Sequence, residues 1–384
     1  MSTAAVTLPL SASASPPVAA RHARIGSIDG LRGLVMLLML VDHAREFFFA
    51  GQQVSDPMDL SATSPGLFFT RLAAHLCAPV FVALAGTSAW LYGANRGPAA
   101  TAAFLLKRGL FLIVLELTVV GFGWSFSLNA PTVFLQVIWA IGWSMIALAA
   151  LVHLPRAWIV AIGAVIVAGH NLLDPIAFAP GERGHVAWAM LHDRGYIDLW
   201  DGVRARTSYP VVPWIGVIAL GYAVGPWFAA SMPAARRRRL LATTAAGLLL
   251  AFAVMRGMNG YGDPTPWVAG ATPLGTLMAF LNVTKYPPSL DFVLLTLGIG
   301  TALLALWPER QGRWLAVLGG APLFFYVLHI YTLHLLRLAS GTTDVPGVGW
   351  LWLIAALLAP PLWLATRWFA ARKRASGQWW MRYL

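Results

Sequence analysis

The chain has 384 residues, 58% of them hydrophobic and only 11% charged, against roughly 25% charged in a soluble domain. Mean hydropathy is +0.68, and windows of about 20 apolar residues, the length that crosses ~30 Å of hydrocarbon, recur from residue 31 almost to the end. A large soluble domain is thereby excluded. An all-α, polytopic helical membrane bundle is indicated, because a lipid-exposed backbone must satisfy its own polar groups. The net charge of +12 does not point to nucleic acid, since the basic residues lie in short clusters between apolar runs, as membrane topology requires. The single Cys77 sits in an apolar run, which excludes intrachain disulfides and a metal site built on several cysteines.

The opening "MSTAAVTLPLSASASPPVAA" is rich in Ser, Pro and Ala and has no basic region before its apolar stretch. A disordered tail over residues 1–24 is expected rather than a cleaved signal peptide, with residues 25–384 as a single membrane-embedded domain. Ten helices are predicted at about 31–50, 68–93, 103–122, 132–152, 157–174, 210–230, 239–255, 289–307, 314–337 and 348–369. With the N-terminus inside, 18 of the 27 basic residues fall in cytoplasmic segments, so both termini are predicted to be cytoplasmic. The segment "WVAGATPLGTLMAFL" (267–281) is too rich in Gly and Pro to cross. Two non-cytoplasmic loops are long. The first, at about 175–209, mixes aromatics with Asp, Arg and His and reads as a cap. The second, at about 256–288, ends in "NVTKYPPSLDF", where Pro287 and Pro288 prohibit helix and set a rigid approach to the next span.

Several ionisable residues fall inside predicted spans. Asp42 lies eleven residues after Leu31, about 16 Å along a helix at 1.5 Å per residue. A charge at that depth costs at least ~2.5 kcal/mol, so it must face protein or an aqueous cavity. Asp42 can pair with Arg45 at i,i+3. His43 then faces elsewhere and needs a partner from another helix. The candidate partner lies in "TRLAAHLCAPVF", where Arg71 and His75 share a face and Pro79 frees the His75 carbonyl. Glu116 is the only charge in the third span and reads equally as a functional group or as the buried partner of Arg45 or Arg71. His329 and His334, five residues apart, lie about 140° apart around their helix and cannot form one ligand pair. Neither metal nor haem is expected. Lys285, with Tyr286 beside it, reads equally as a cation that meets an anionic group and as an interfacial lysine whose stem snorkels along apolar surface. No Walker loop and no GxSxG elbow occurs.

The stretches "RIGSIDGLRGLVMLLMLVDHAREFF", "HLCAPVFVALAGTSAWL", "NVTKYPPSLDFVLLTLG" and "PLFFYVLHIYTLH" resemble the heparan-alpha-glucosaminide N-acetyltransferase catalytic-domain family, in its bacterial branch, within the transmembrane acyltransferase group. The resemblance implies transfer of an acetyl or acyl group from cytoplasmic acyl-CoA to an extracytoplasmic amino sugar or glycan. It also implies a loop histidine that this sequence lacks, since none stands between His43 and His75. His43 falls where the lysosomal relative has an Asn close to the acetyl group.

The expected catalytic set is therefore His43 as base, His75 as a second candidate, Asp42 or Glu116 to orient the imidazole, and His329 at the same depth. Arg45, Arg71, Lys285 and Tyr286 are expected at the acceptor, with Arg71 or Lys285 stabilising an oxyanion. Arg32, Lys107 and Arg108 are expected at the acyl-CoA phosphates. The expected partners are acyl-CoA, a glycan acceptor and membrane lipid, with the oligomeric state open. A transporter for a small polar solute would use the same buried charges, although no inverted repeat is detectable. Arg outnumbers Lys 24 to 3, which fits a bacterial inner membrane of high G+C coding bias.

Overall fold

The computed structural model describes residues 26–50, 58–200, 202–307, 312–376, 378, 381 and 383. The tail predicted over residues 1–24 lies outside the described residues, as do Arg310 and Arg382.

Helix α1 (Gly26–Phe48) begins with Asp29 in its first turn and ends with Arg45 in its last, both matching the helix dipole. It is the central post of the bundle: Val35, Met36 and Leu40 are fully buried, and six other helices pack around it. The second predicted helix is two. Ser64 caps α2 (Pro65–Ala74) by accepting from the Leu67 amide, and the chain breaks at His75–Leu76 before α3 (Cys77–Gly93). Pro79 lies in the first turn of α3, where a missing N–H costs nothing, so the carbonyl it frees at His75 belongs to a break between helices.

Helix α4 (Gly97–Leu115) runs through one π-helical turn, Glu116–Val120, into α5 (Gly121–Ser125). The helix predicted from residue 132 starts only at α6 (Val137–Leu151). Thr132–Leu135 form strand β1 instead, because Thr132, Val133 and Phe134, β-branched or aromatic, favour a strand and a partner strand lies in the cap. That cap holds α8 (His185–Leu191) and the hairpin β2 (Tyr196–Trp200) and β3 (Val203–Thr207), after α7 (Arg156–Gly169). Strand order is β1-β3-β2, with β1 parallel and β2 antiparallel to β3.

Helices α9 (Val212–Ala223) and α10 (Ala234–Met258) follow, and the run Arg236–Arg239 lies inside α10 rather than before it. Segment 267–281 yields only α11 (Pro273–Leu281), nine residues or about 13 Å, too short to cross. Helix α12 (Leu290–Leu306) is capped by Ser289. The helix expected at 314–337 is split by Gly320 and Ala321 into α13 (Arg313–Gly319) and α14 (Pro322–Ser340), and α15 (Val348–Ala375) closes the bundle.

Among the described residues, five helical segments are long and apolar enough to cross a membrane: Pro65–Gly93, Arg156–Leu173, Ala234–Met258, Pro322–Ser340 and Val348–Ala375. Three shorter apolar helices, α6, α9 and α12, accompany them. Close packing relies on small residues, as expected where lipid supplies no hydrophobic drive. A Cβ on Gly109 of α4 would meet the Gly142 carbonyl of α6 at 2.6 Å, and one on Gly142 would meet the Gly109 carbonyl at 2.7 Å.

The loop before α12 is rigidly held. Arg256 is buried and donates to the carbonyls of Phe280, Thr265, Ala279 and Asn282 at 2.5–3.2 Å. Asp263 accepts from the Thr284 amide and the Ser289 hydroxyl, each at 2.7 Å. Lys285 and Tyr286 therefore stand on a fixed loop.

Candidate active site

A side chain one helical turn apart from another on α1 shares its face, so Met39 and His43 point the same way. His43 meets its partner on α14: its Nδ1 lies 2.7 Å from Nε2 of His329, with the rings stacked at 5.0 Å. The predicted partner, His75, is elsewhere. The helix break turns it against Phe292, at a ring distance of 5.3 Å, and both its ring nitrogens are buried without hydrogen bonds.

The wiring of the pair fixes its tautomers. His329 Nδ1 lies 2.9 Å from the Phe325 carbonyl, which can only accept. His329 therefore donates from Nδ1 and accepts at Nε2, so His43 donates from Nδ1 and carries its lone pair on Nε2. Among the described residues that nitrogen takes no hydrogen bond. Two further groups flank His43: Trp124, edge-on at 4.9 Å, and Tyr326 at 6.0 Å. The Trp124 indole nitrogen and the Tyr326 hydroxyl are both buried beside one another, and neither makes a well-formed hydrogen bond to another group among the described residues. Sequence reasoning passed over both, because a Trp and a Tyr in apolar helices look like packing.

Asp42 behaves as its spacing implies, pairing with Arg45 at 3.3 Å, and it also binds Arg71 at 2.5 Å. Arg45 pairs with Glu46 as well. With its guanidinium on Asp42, Arg71 is committed to a salt bridge rather than poised at a reaction centre. Nor does Asp42 or Glu116 touch the imidazole. Glu116, at the start of the π turn, accepts from the Trp139 amide at 3.1 Å and so caps α6. His334 likewise faces away from His329, binding the Gly123 carbonyl at 3.0 Å.

Lys285 lies within electrostatic reach of Asp42, His43 and His75, and no carboxylate among the described residues pairs with it. Its ammonium sits 5.1 Å from the Tyr286 ring centre, and the Tyr286 and Tyr209 hydroxyls are 3.3 Å apart. Burial raises the Tyr286 phenol, but the cations Lys285 and Arg71 outweigh it and bring the group down to about 8.

A cavity of about 1050 Å³ extends from the start of α1 to Tyr326, large by the ~300–1,000 Å³ standard of small-ligand sites. Its inner wall includes Met39, Leu112, Ile138 and Tyr326, and among the described residues its mouth carries Arg32, Arg108, Arg237 and Lys373 against one acid, Asp29. Arg32 is held by Asp29 at 3.2 Å and Ser88 at 2.5 Å, and Arg108 by the Tyr383 carbonyl at 3.0 Å. Lys107 is exposed and does not line the cavity, since consecutive helical residues point ~100° apart. Arg237 and Lys373 join the mouth through tertiary packing of α10 and α15, which no local pattern announces.

The family model described as heparan-alpha-glucosaminide N-acetyltransferase, catalytic, matches residues 24–258. Comparison with curated proteins gave no match. The matched stretch runs from α1 to α10 and holds Arg32, His43, Arg71, Arg108 and Trp124, while Lys285, Tyr326 and His329 come to the same site from beyond it. A match over more than half of a chain built from membrane-length helices identifies it: the protein belongs to the heparan-alpha-glucosaminide N-acetyltransferase catalytic family, which implies a membrane acetyltransferase acting on amino sugars, with acetyl-CoA as the family's general donor.

Proposed function

We propose that the protein transfers an acetyl or other acyl group from cytoplasmic acyl-CoA to an extracytoplasmic amino sugar or glycan, in a bacterial inner membrane. On this reading the chain after residue 24 is one unit of ten spans with both termini cytoplasmic. The observation that carries the proposal is the conjunction of a basic-mouthed cavity with a wired histidine pair: Tyr326 lines the inner end of the cavity and lies 6.0 Å from His43 and 5.6 Å from His329, ring to ring.

The donor enters with its phosphates among Arg32, Arg108, Arg237 and Lys373, where charge-assisted contacts to anionic oxygens are strong. Its thioester reaches Tyr326. His43 Nε2 takes the proton from the acceptor amine as the amine nitrogen attacks the thioester carbonyl, and His329 spreads the resulting positive charge. The tetrahedral oxyanion is met by the Tyr326 hydroxyl and the Trp124 N–H, two adjacent buried donors. Collapse breaks the C–S bond, and coenzyme A leaves as the thiol after taking a proton from His43. Lys285, Tyr286 and Tyr209 line the acceptor side. Asp42, Arg45 and Arg71 form the salt-bridged floor that keeps α1 and α2 in register.

Purified protein in nanodiscs, given acetyl-labelled acetyl-CoA and glucosamine, should pass label to the amine. His43→Ala should lower the rate about 1,000-fold, within the ~10²–10⁴ contribution of a positioned base, while its size-exclusion profile stays that of the wild type. An inert wild type that instead takes up a polar solute into vesicles would overturn the reading in favour of a transporter.

A further inference from the structure

Outside the acyl-transfer site, three potential metal ligands converge where the end of α7 meets the cap. We propose that His170, Asp174 and His192 bind one divalent transition-metal ion of the zinc type, which clamps the cap to the bundle. The proposal does not rest on acyl transfer.

One donor atom from each residue lies within 4.8 Å of the others. His170 is only 2% exposed and His192 3%. Neither ring nitrogen of His170 makes a well-formed hydrogen bond, although the Pro288 carbonyl lies close enough to steady one of them, and Asp174 Oδ1 has only the longer contact with His192. Packing alone does not account for this, because a buried imidazole ordinarily satisfies both nitrogens and a buried carboxylate both oxygens. A cation held among them would take the His170 lone pair and the carboxylate charge together.

The surroundings aim these atoms. The other oxygen of Asp174 accepts from Asn171 Nδ2 at 2.9 Å, while Asn171 Oδ1 accepts from the Leu290 amide at 2.9 Å. The carboxylate is thus oriented by a residue that is itself pinned to the start of α12, the outer-shell support that metal ligands usually have. The His192 ring is held flat against Trp188, at 5.0 Å and 15°. Its Nε2 stands 3.4 Å from Asp174 Oδ1 and 2.9 Å from the His170 carbonyl. Coordination through Nε2 exchanges that carbonyl contact for the ion and moves the ring proton to Nδ1.

Two imidazoles and one carboxylate suit zinc, nickel, cobalt or ferrous iron better than calcium or magnesium, which favour all-oxygen shells. Zinc–nitrogen bonds of ~2.0–2.1 Å set ligand separations of roughly 3.3 Å in a tetrahedron; His192 and Asp174 are already at 3.4 Å, and donors as far apart as 4.8 Å close by side-chain rotation. A water completes the shell. The result joins α7, the α8 cap and, through Asn171, the loop that carries Lys285.

The test uses the full chain in detergent, stripped with EDTA, desalted and exposed to zinc chloride alone. Elemental analysis after gel filtration should give one zinc per chain, and calorimetry should show at least a tenfold loss of affinity in both His170→Ala and the shape-conserving Asp174→Asn. If the variants do not fold, the wild type loaded with cobalt chloride decides: a four-coordinate d–d spectrum without thiolate charge transfer supports the site. Substoichiometric retention of zinc, nickel, cobalt and manganese alike by the wild type, or unchanged zinc affinity in a folded His170→Ala, His192→Ala double variant, overturns it.

Discussion

Two histidine pairs in this molecule use the same side chain in opposite ways. In His43–His329 every ring nitrogen but one has a partner, and the contacts run in one direction, from the Phe325 carbonyl through both rings to a lone pair on His43 Nε2. In His170–His192 the rings lie 5.9 Å apart and tilted, make no hydrogen bond to each other, and share the Asp174 carboxylate within 4.8 Å. The first arrangement has the geometry that proton transfer along one axis requires. The second leaves several lone pairs converging on a point, which suits a cation. Residue identity and burial do not separate these uses; the hydrogen-bond wiring does.

The most severe way to break that contrast is to cut the wire. His329→Ala removes the acceptor that fixes the His43 tautomer, and transfer should fall by about 10²–10³, the scale of general-base catalysis. In His329→Gln the amide oxygen can accept from His43 Nδ1 while the amide nitrogen donates to Phe325, so at least part of the loss should return. Equal defects in the two variants, measured as kcat under saturating acetyl-CoA, would show that bulk rather than tautomer control matters. His170→Ala, in the other pair, should leave kcat at the wild-type level.

Next in size is the donor pair beside His43. Tyr326→Phe keeps the ring that packs at 5.6 Å from His329 and deletes only the hydroxyl, so kcat should drop about 100-fold, the lower end for losing one oxyanion donor. The KM for acetyl-CoA should change little, because the interaction belongs to the transition state. A rise in KM with unchanged kcat would move Tyr326 from the reacting oxygen to donor binding.

How much of this was legible in the sequence depends on whether the signal was local. Apolar run lengths marked where the helices lie, and i,i+3 spacing gave the Asp42–Arg45 pair. The same helical geometry showed that His43 must look to another helix. It could not say which one: His329 lies 286 residues away, and the choice between it and His75 is made by the helix break at His75–Leu76 and the packing of α14 on α1. β1 looks like helix in the sequence because three of its four residues are apolar, while the strand it pairs with comes some seventy residues later. The metal cluster left one faint local trace, the His170-x3-Asp174 spacing, while His192 joins only when the cap folds. Lys107 and Arg108 were indistinguishable as neighbours in sequence, and only the orientation of α4 sends one to the cavity and the other outward.

That last pair gives a weaker but cleaner contrast at the cavity mouth. Lys373→Ala and Arg237→Ala each delete a cation that no local pattern announced, and each should raise the KM for acetyl-CoA about five- to tenfold, roughly 1–1.4 kcal/mol of lost charge-assisted contact. The effect should shrink at high salt, since the mouth is open to solvent ions. Lys107→Ala, one position from Arg108 but on the exposed face, should behave as wild type. A KM shift in Lys107→Ala equal to that in Lys373→Ala would mean that overall positive potential, and not the lining of this cavity, attracts the donor.

The smallest effect tests the loop that lies between the two histidine regions. Tyr286 is adjacent to Lys285, which reaches electrostatically toward Asp42 and His43, while four residues on, the Leu290 amide is held by Asn171 of the cluster side. Burial opposes ionisation of the Tyr286 phenol, yet Lys285 and Arg71 overcome it and place its titration at about 8, below the ordinary tyrosine value near 10. The sign follows directly: the cations favour phenolate, so deprotonation should begin between pH 7 and 9, well before the other tyrosines. Ultraviolet difference spectra of the folded protein should show one tyrosine's worth of phenolate absorbance in that window, absent in Tyr286→Phe and moved upward in Lys285→Met. A wild-type spectrum with no phenolate below pH 9 would mean that Lys285 directs its charge elsewhere, toward the histidine pair rather than toward the ring beside it.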